Sequence, residues 1–151
     1  MLPLKKLAYL TSQKIKDASI LFQSGRYSGA VYLMGYALEF SLKRKISQTL
    51  GFINGFPEDK NELNSYGPQI IAFNAISTGL SLTKIKDIRN HDLNLLIKYS
   101  GAESRIVASY YSEWLTVKDW NPEDRYKIRK YRFSKAKDFM HSAKTILTQI
   151  H

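Results

Sequence analysis

Ser24-Gly25-Arg26-Tyr27-Ser28-Gly29-Ala30-Val31-Tyr32-Leu33-Met34-Gly35-Tyr36-Ala37-Leu38-Glu39-Phe40-Ser41-Leu42-Lys43 reads as a tight turn that opens a long helix. Gly25 supplies the backbone freedom needed at a helix end, and Ala30, Met34, Ala37, Leu38, Ser41 and Leu42 then recur at helical spacing. Gly29, Ala30, Gly35, Ala37 and Ser41 are small enough to let another helix come close. A glycine inside a helix costs about 1 kcal/mol against alanine, so Gly35 implies a packing reason. This helix is expected to lie at the centre of the fold.

Tyr36, Glu39 and Lys43 stand three and four residues apart on it and project from neighbouring positions on one side. Two readings follow: an exposed Glu-Lys pair worth a few tenths of a kcal/mol, or one wall of a polar cleft.

Outward from this stretch the pattern stays helical. Leu4, Leu7, Ala8, Thr11, Ile15, Ala18 and Phe22 predict an amphipathic helix from Leu4 to Gln23, joined to the next as an antiparallel hairpin. The second helix is expected to end near Lys43-Arg44-Lys45-Ile46-Ser47-Gln48, where three cations would complement the negative end of its dipole or face a phosphate. From Gly51 to Thr83 the pattern weakens, and short helices are expected at Glu58 to Asn64 and Pro68 to Ser77, with a strand at Ile70 to Ile76 as the competing reading. A helix resumes between Lys84 and Tyr99, with Asn90 or Asp92 able to cap its start. Ser100-Gly101-Ala102-Glu103 reads as a helix stop fused to a capping box for a helix bearing Ile106, Val107, Tyr110, Trp114 and Val117. Asn121-Pro122 breaks that pattern, and Ser134 begins a final helix with Ala136, Phe139, Met140, Ala143, Ile146, Leu147 and Ile150 on one face. The expected fold is all-α: an antiparallel, up-and-down helical bundle of about five main helices, one domain over 1–151, with a short-helix insertion around 51–83.

Composition bounds the function. The chain of 151 residues has 23 Lys and Arg against 13 Asp and Glu, a formal +10, which suits polyanionic partners without ranking RNA, DNA, nucleotides, acidic proteins or acidic membranes. No run is long and apolar enough for a membrane span, and Met1-Leu2-Pro3-Leu4-Lys5-Lys6 lacks the apolar stretch of a signal peptide, so a cytoplasmic protein is expected. With no cysteine there is no disulfide, thiolate zinc site or cysteine nucleophile. His91, His141 and His151 show no zinc-motif spacing, and neither a P-loop nor a nucleophile elbow is present. No metal or cofactor is expected.

Arg125, Lys127, Arg129, Lys130, Arg132, Lys135 and Lys137 put seven cations and no acid between positions 125 and 137, interleaved with Tyr126, Tyr131 and Phe133. Cations release counterions from a phosphate backbone and aromatic rings stack on bases, so the segment reads as a nucleic-acid contact or as a solvated basic connector. His91 reads either as a helix-start residue bonded to a neighbouring carbonyl or carboxylate, or as an imidazole in a polar pocket.

The run from Gly25 to Lys43 resembles the second helix of HEPN domains, small helical prokaryotic proteins often encoded beside a minimal nucleotidyltransferase. His91-Asp92-Leu93 and the stretch from Trp120 through Arg125-Tyr126 agree with it in order. The resemblance implies a homodimer, a nucleotidyltransferase partner in a toxin-antitoxin-like pair, and a polar cleft for a nucleotide or that partner built from Tyr36, Glu39, Lys43, His91, Arg125 and Tyr126. Members of the family that cut RNA carry an Arg followed after four to six residues by a His, commonly with a Tyr two further on, where two subunits meet. Here Arg89 has one residue before His91, Arg132 has eight before His141, and Lys86 has four before His91 but Leu93 stands where the Tyr would be. The reading is therefore a non-catalytic member; the alternative is a ribonuclease toxin using Lys86 or Arg89 with His91, or an RNA-binding module using Arg125, Lys127, Arg129, Lys130 and Arg132.

Overall fold

A computed structural model describes residues 1–126 and 131–151, and among these the regular structure is helical. α1 (Leu4–Gln23) and α2 (Tyr27–Leu50) form the hairpin that the sequence predicts. Its turn is a Schellman motif: the Arg26 amide donates to the Leu21 carbonyl at 2.8 Å and the Gly25 amide to that of Phe22 at 3.1 Å. This requires a left-handed residue, and Gly25 supplies it at φ 75°.

α2 is the hub, packed against α1, α4 (Gly67–Ile76), α5 (Leu93–Ser100), α8 (Phe133–Gln149) and the 3-10 turn Pro122–Tyr126. Ala30, Met34, Ala37, Leu38, Leu42 and Ile46 are fully buried along it. Each large side chain among them contributes about 1.5–3 kcal/mol of burial. The packing reason implied by Gly35 is Trp120. A β-carbon at position 35 would stand 1.9 Å from the indole, which lies flat against the helix backbone there and fixes the start of the Pro122–Tyr126 turn.

The insertion holds α3 (Lys60–Asn64), capped by the Asp59 carboxylate accepting from the Glu62 amide, and α4, with Pro68 in its first turn. Ile70 to Ile76 is thus helical and the strand alternative falls. Tyr66 stacks on Phe52 at 4.3 Å between ring centroids and donates to the Gly55 carbonyl at 2.9 Å. That bond pins the loop whose Phe56 pairs with Leu2 in an isolated antiparallel bridge.

Three expectations are corrected and one is met in part: Asp92, one of the two expected caps, opens α5 at Leu93, while Lys84 to Asn90 stays out of that helix, with Ile85–Asp87 a 3-10 turn. The cause is competition from side chains. Asp87 accepts from the Thr83 and Lys84 amides, and the Asn90 amide group donates to the carbonyls of Lys86 and Asp87, so this backbone bonds locally instead of continuing a helix. The helix expected after Gly101 is two, α6 (Glu103–Ser109) and α7 (Tyr111–Val117), because Tyr110 leaves helical geometry in a Ser-Tyr-Tyr-Ser run of middling helix formers. No capping box opens α6. The residue at its cap is Ala102, which has no side-chain acceptor, and its amide is taken by Ser100 Oγ at 3.1 Å. Finally, α2 runs on to Leu50, leaving its last turn without a cation and Lys43-Arg44-Lys45 too far back to meet the dipole end.

Gly35→Ala tests the central packing. Alanine is the better helix former by about 1 kcal/mol, yet overpacking against Trp120 costs about 1–3 kcal/mol, so urea denaturation should show net destabilisation and a tryptophan emission shifted to the red. Gly67→Ala, where an added methyl meets nothing within 4 Å, should show neither.

Candidate functional site

Tyr32, Tyr36, Glu39 and Lys43 fall along one stripe of α2 at helical spacing. Glu39 is 1% exposed, and an isolated carboxylate there would ionise at heavy cost. It is held by two partners. Oε1 accepts from Lys43 Nζ at 2.6 Å, and Oε2 lies 2.8 Å from His91 Nδ1. Of the two readings of the Glu39–Lys43 pair, the exposed one fails: both residues are buried, and the ammonium lies 5.6 Å from the centre of the Phe56 ring.

The loop carrying His91 is shaped by its neighbours, since Asn90 accepts from the Asp92 amide while Asp92 caps α5. An ionised carboxylate only accepts, so the neutral imidazole must carry its proton on Nδ1 and present Nε2 as an acceptor. Its side chain is 55% exposed, and among the described residues Nε2 has no hydrogen-bond partner. The arrangement is a carboxylate-held imidazole with its far nitrogen open to solvent.

From His91 the site continues through aromatic contacts. Tyr36 meets the His91, Trp120 and Tyr32 rings edge to face at 6.0, 5.1 and 5.1 Å. Burial, helped by the Tyr32 hydroxyl, pushes the Tyr36 phenol up to about 12, so it remains a donor at neutral pH. Arg125, delivered by the Pro122–Tyr126 turn, donates to the Tyr32 hydroxyl at 2.7 Å and to that of Tyr126. Its guanidinium lies 5.2 and 4.6 Å from those two ring centres.

All six residues read from the sequence as a ligand site therefore join one continuous chain of contacts, running Lys43, Glu39, His91, Tyr36, Tyr32, Arg125, Tyr126. Tyr32 is the link that reasoning missed, although its place four residues before Tyr36 was legible. The Arg125 end opens on a cleft of about 770 Å³ at the start of α2, lined by Arg26, Tyr27, Tyr32, Trp120, Asn121 and Arg125 among others. Neither His91 nor Glu39 lines it.

The other candidates are less assembled. Lys86 and Arg89 are exposed and make no hydrogen bond to His91. Of the basic stretch, Arg125 and Arg132 are exposed, whereas Lys127, Arg129 and Lys130 lie outside the described residues. His151 bonds Ser41 and Gln48, and burial beside Arg44, Lys45 and Arg105 pushes its imidazole down to about 4, leaving it neutral. Among the described residues no three His, Asp or Glu side chains gather as a metal site, and no helix is long and apolar enough to cross a membrane.

Glu39→Ala should cost about 3–5 kcal/mol in urea denaturation, because it strands the Lys43 ammonium in the interior. Glu39→Gln with Lys43→Met, which removes both charges, should recover much of that loss. Equal losses in the two variants would contradict a charge-pairing role. Comparison of the chain with protein-family models, with curated proteins and with solved structures finds no match.

Proposed function

We propose that the chain is a non-catalytic, HEPN-like helical protein that binds a nucleotide along the α2 stripe and its adjoining cleft, and that it works with a nucleotidyltransferase partner in a toxin-antitoxin-like pair, as a homodimer. The observation that carries the nucleotide is Arg125, held between the Tyr32 and Tyr126 rings at the mouth of the 770 Å³ cleft. The volume falls within the range of about 300–1,000 Å³ usual for small-molecule sites. Arg125 and Arg26 supply cations for phosphate, Tyr27 on the cleft wall supplies a face for a base, and the exposed Tyr126 ring beside Arg125 offers a second face outside the cleft. Lys43 takes a different part from a phosphate contact: it neutralises Glu39, which in turn orients His91. His91 Nε2 is left to bond a ribose or base edge.

A second reading, a ribonuclease, is favoured by one feature alone, the half-exposed His91 with Nδ1 held by a buried carboxylate and Nε2 open, which is a competent general base. Cleavage of labelled RNA by the purified protein that disappears in His91→Ala would support it over the non-catalytic reading.

Calorimetry with AMP, ATP and GTP tests the first reading. At least one should bind, and Arg125→Ala should weaken it at least tenfold, about 1.4 kcal/mol. Absence of binding, or binding indifferent to Arg125→Ala, would remove the proposal.

A further inference from the structure

A second, smaller hollow adjoins the cleft. α1 and α8 both pack on α2, and between them lies a groove of about 240 Å³ lined by Ser19 and Gln23 from α1 and by Lys137, His141 and Lys144 from α8. The last three stand four and three residues apart on α8, so they form one stripe about 10 Å long. Among the described residues no Asp or Glu lines this groove, and neither lysine has an ion pair. Two ammonium groups beside a hydroxyl, an amide and an imidazole make a donor set suited to an anion.

Aromatic rings connect the groove to the cleft. Phe22, a wall of the groove, and Tyr27, a wall of the cleft, lie 5.4 Å apart between ring centres, and the Phe133 ring stands 5.7 and 5.6 Å from them. The Tyr131 amide fastens this end of α8 to the start of α2 by donating to Ser28 Oγ at 3.0 Å. Phe133 is 51% exposed, with Lys137 Nζ 5.9 Å from its centre. Arg125 and Arg26, then a half-open aromatic platform, then Lys137 and Lys144 thus follow one another across the surface.

We infer that the groove between α1 and α8 is a second phosphate subsite, and that the ligand is a single-stranded oligonucleotide crossing from the cleft over Phe133 to Lys137 and Lys144. The inference rests on the nucleotide reading of the cleft and extends it from a lone nucleotide to a chain. The order of the groups selects the ligand. A single strand alternates phosphates with unpaired base faces, which matches cations on either side of exposed rings. An acidic peptide or a lipid headgroup would engage the cations and leave the rings unused, and a duplex keeps its bases stacked on one another. Lys137 and Lys144 meet backbone alone, so they add affinity without sequence preference.

Titration of a labelled RNA octamer of adenylates, read by fluorescence anisotropy, and of AMP, read by calorimetry, tests this. The octamer should bind at least tenfold more tightly than AMP. Lys137→Ala with Lys144→Ala should weaken the octamer at least tenfold and leave AMP binding and urea unfolding unchanged, both positions being exposed. Each phosphate contact on a single strand contributes about 0.7 to the slope of log affinity against log salt, so the double variant should bind with a slope about 1.4 shallower. Lys5→Ala with Lys6→Ala removes the same charge from exposed positions about 20 Å along α1 from Ser19, and should alter neither affinity nor slope. The DNA octamer is a second arm: binding of either chain through the two lysines supports the inference, and a preference identifies the sugar.

Equal effects of the two double variants, or polyglutamate or inorganic polyphosphate of equal charge binding as tightly as the octamer, would overturn the inference. AMP binding that depends on Arg125, with no gain for the octamer, would overturn it and leave the cleft reading standing. Octamer binding that depends on Arg125 and on both lysines, where no mononucleotide binds, would support it and remove only the mononucleotide as the ligand of the cleft.

Discussion

A carboxylate buried in the middle of the longest helix constrains everything around it. Glu39 is enclosed by the core, and an unpaired charge there would cost more than most of a small protein's stability. The chain answers with one cation from the next turn of the same helix and one imidazole from a loop 52 residues away. The first partner is local and cheap to arrange. The second is not, and it ties the loop before α5 to the centre of α2.

Around that point, α2 works as a spine. Its small residues admit close neighbours, its polar stripe gathers the site, and its first turn forms one wall of the cleft. Gly35 and Trp120 couple these duties: the indole can lie on the helix because no side chain intervenes, and the turn that follows Trp120 is thereby set where Arg125 reaches Tyr32 across 93 residues of sequence. Packing at one glycine therefore decides where a surface cation stands.

Much of the fold was legible because it rests on period and on turn chemistry. Leu4 to Gln23 is bounded by Pro3 and Ser24-Gly25, and the helix runs over that span. Glu39 and Lys43 were legible as neighbours, being four residues apart, but their burial was not, since periodicity does not tell how many sides of a helix are covered. At 84–92 the Asp92 cap was legible, but the turn ahead of it was not, because only the bonds of Asp87 and Asn90 to nearby backbone keep that stretch out of the helix. The cleft was illegible for a different reason: Arg26, Tyr27 and Asn121 form a wall only once the Pro122–Tyr126 turn docks on the start of α2, a contact between distant segments with no local signature.

If the buried carboxylate governs the site, it must also govern the tautomer of the imidazole it holds. Imidazole ¹⁵N chemical shifts of His91, read by NMR in its neutral form, test this most directly. The account predicts a ring protonated on Nδ1, the reverse of the preference of a free histidine. A ring protonated on Nε2 would mean that Glu39 does not hold His91 in solution.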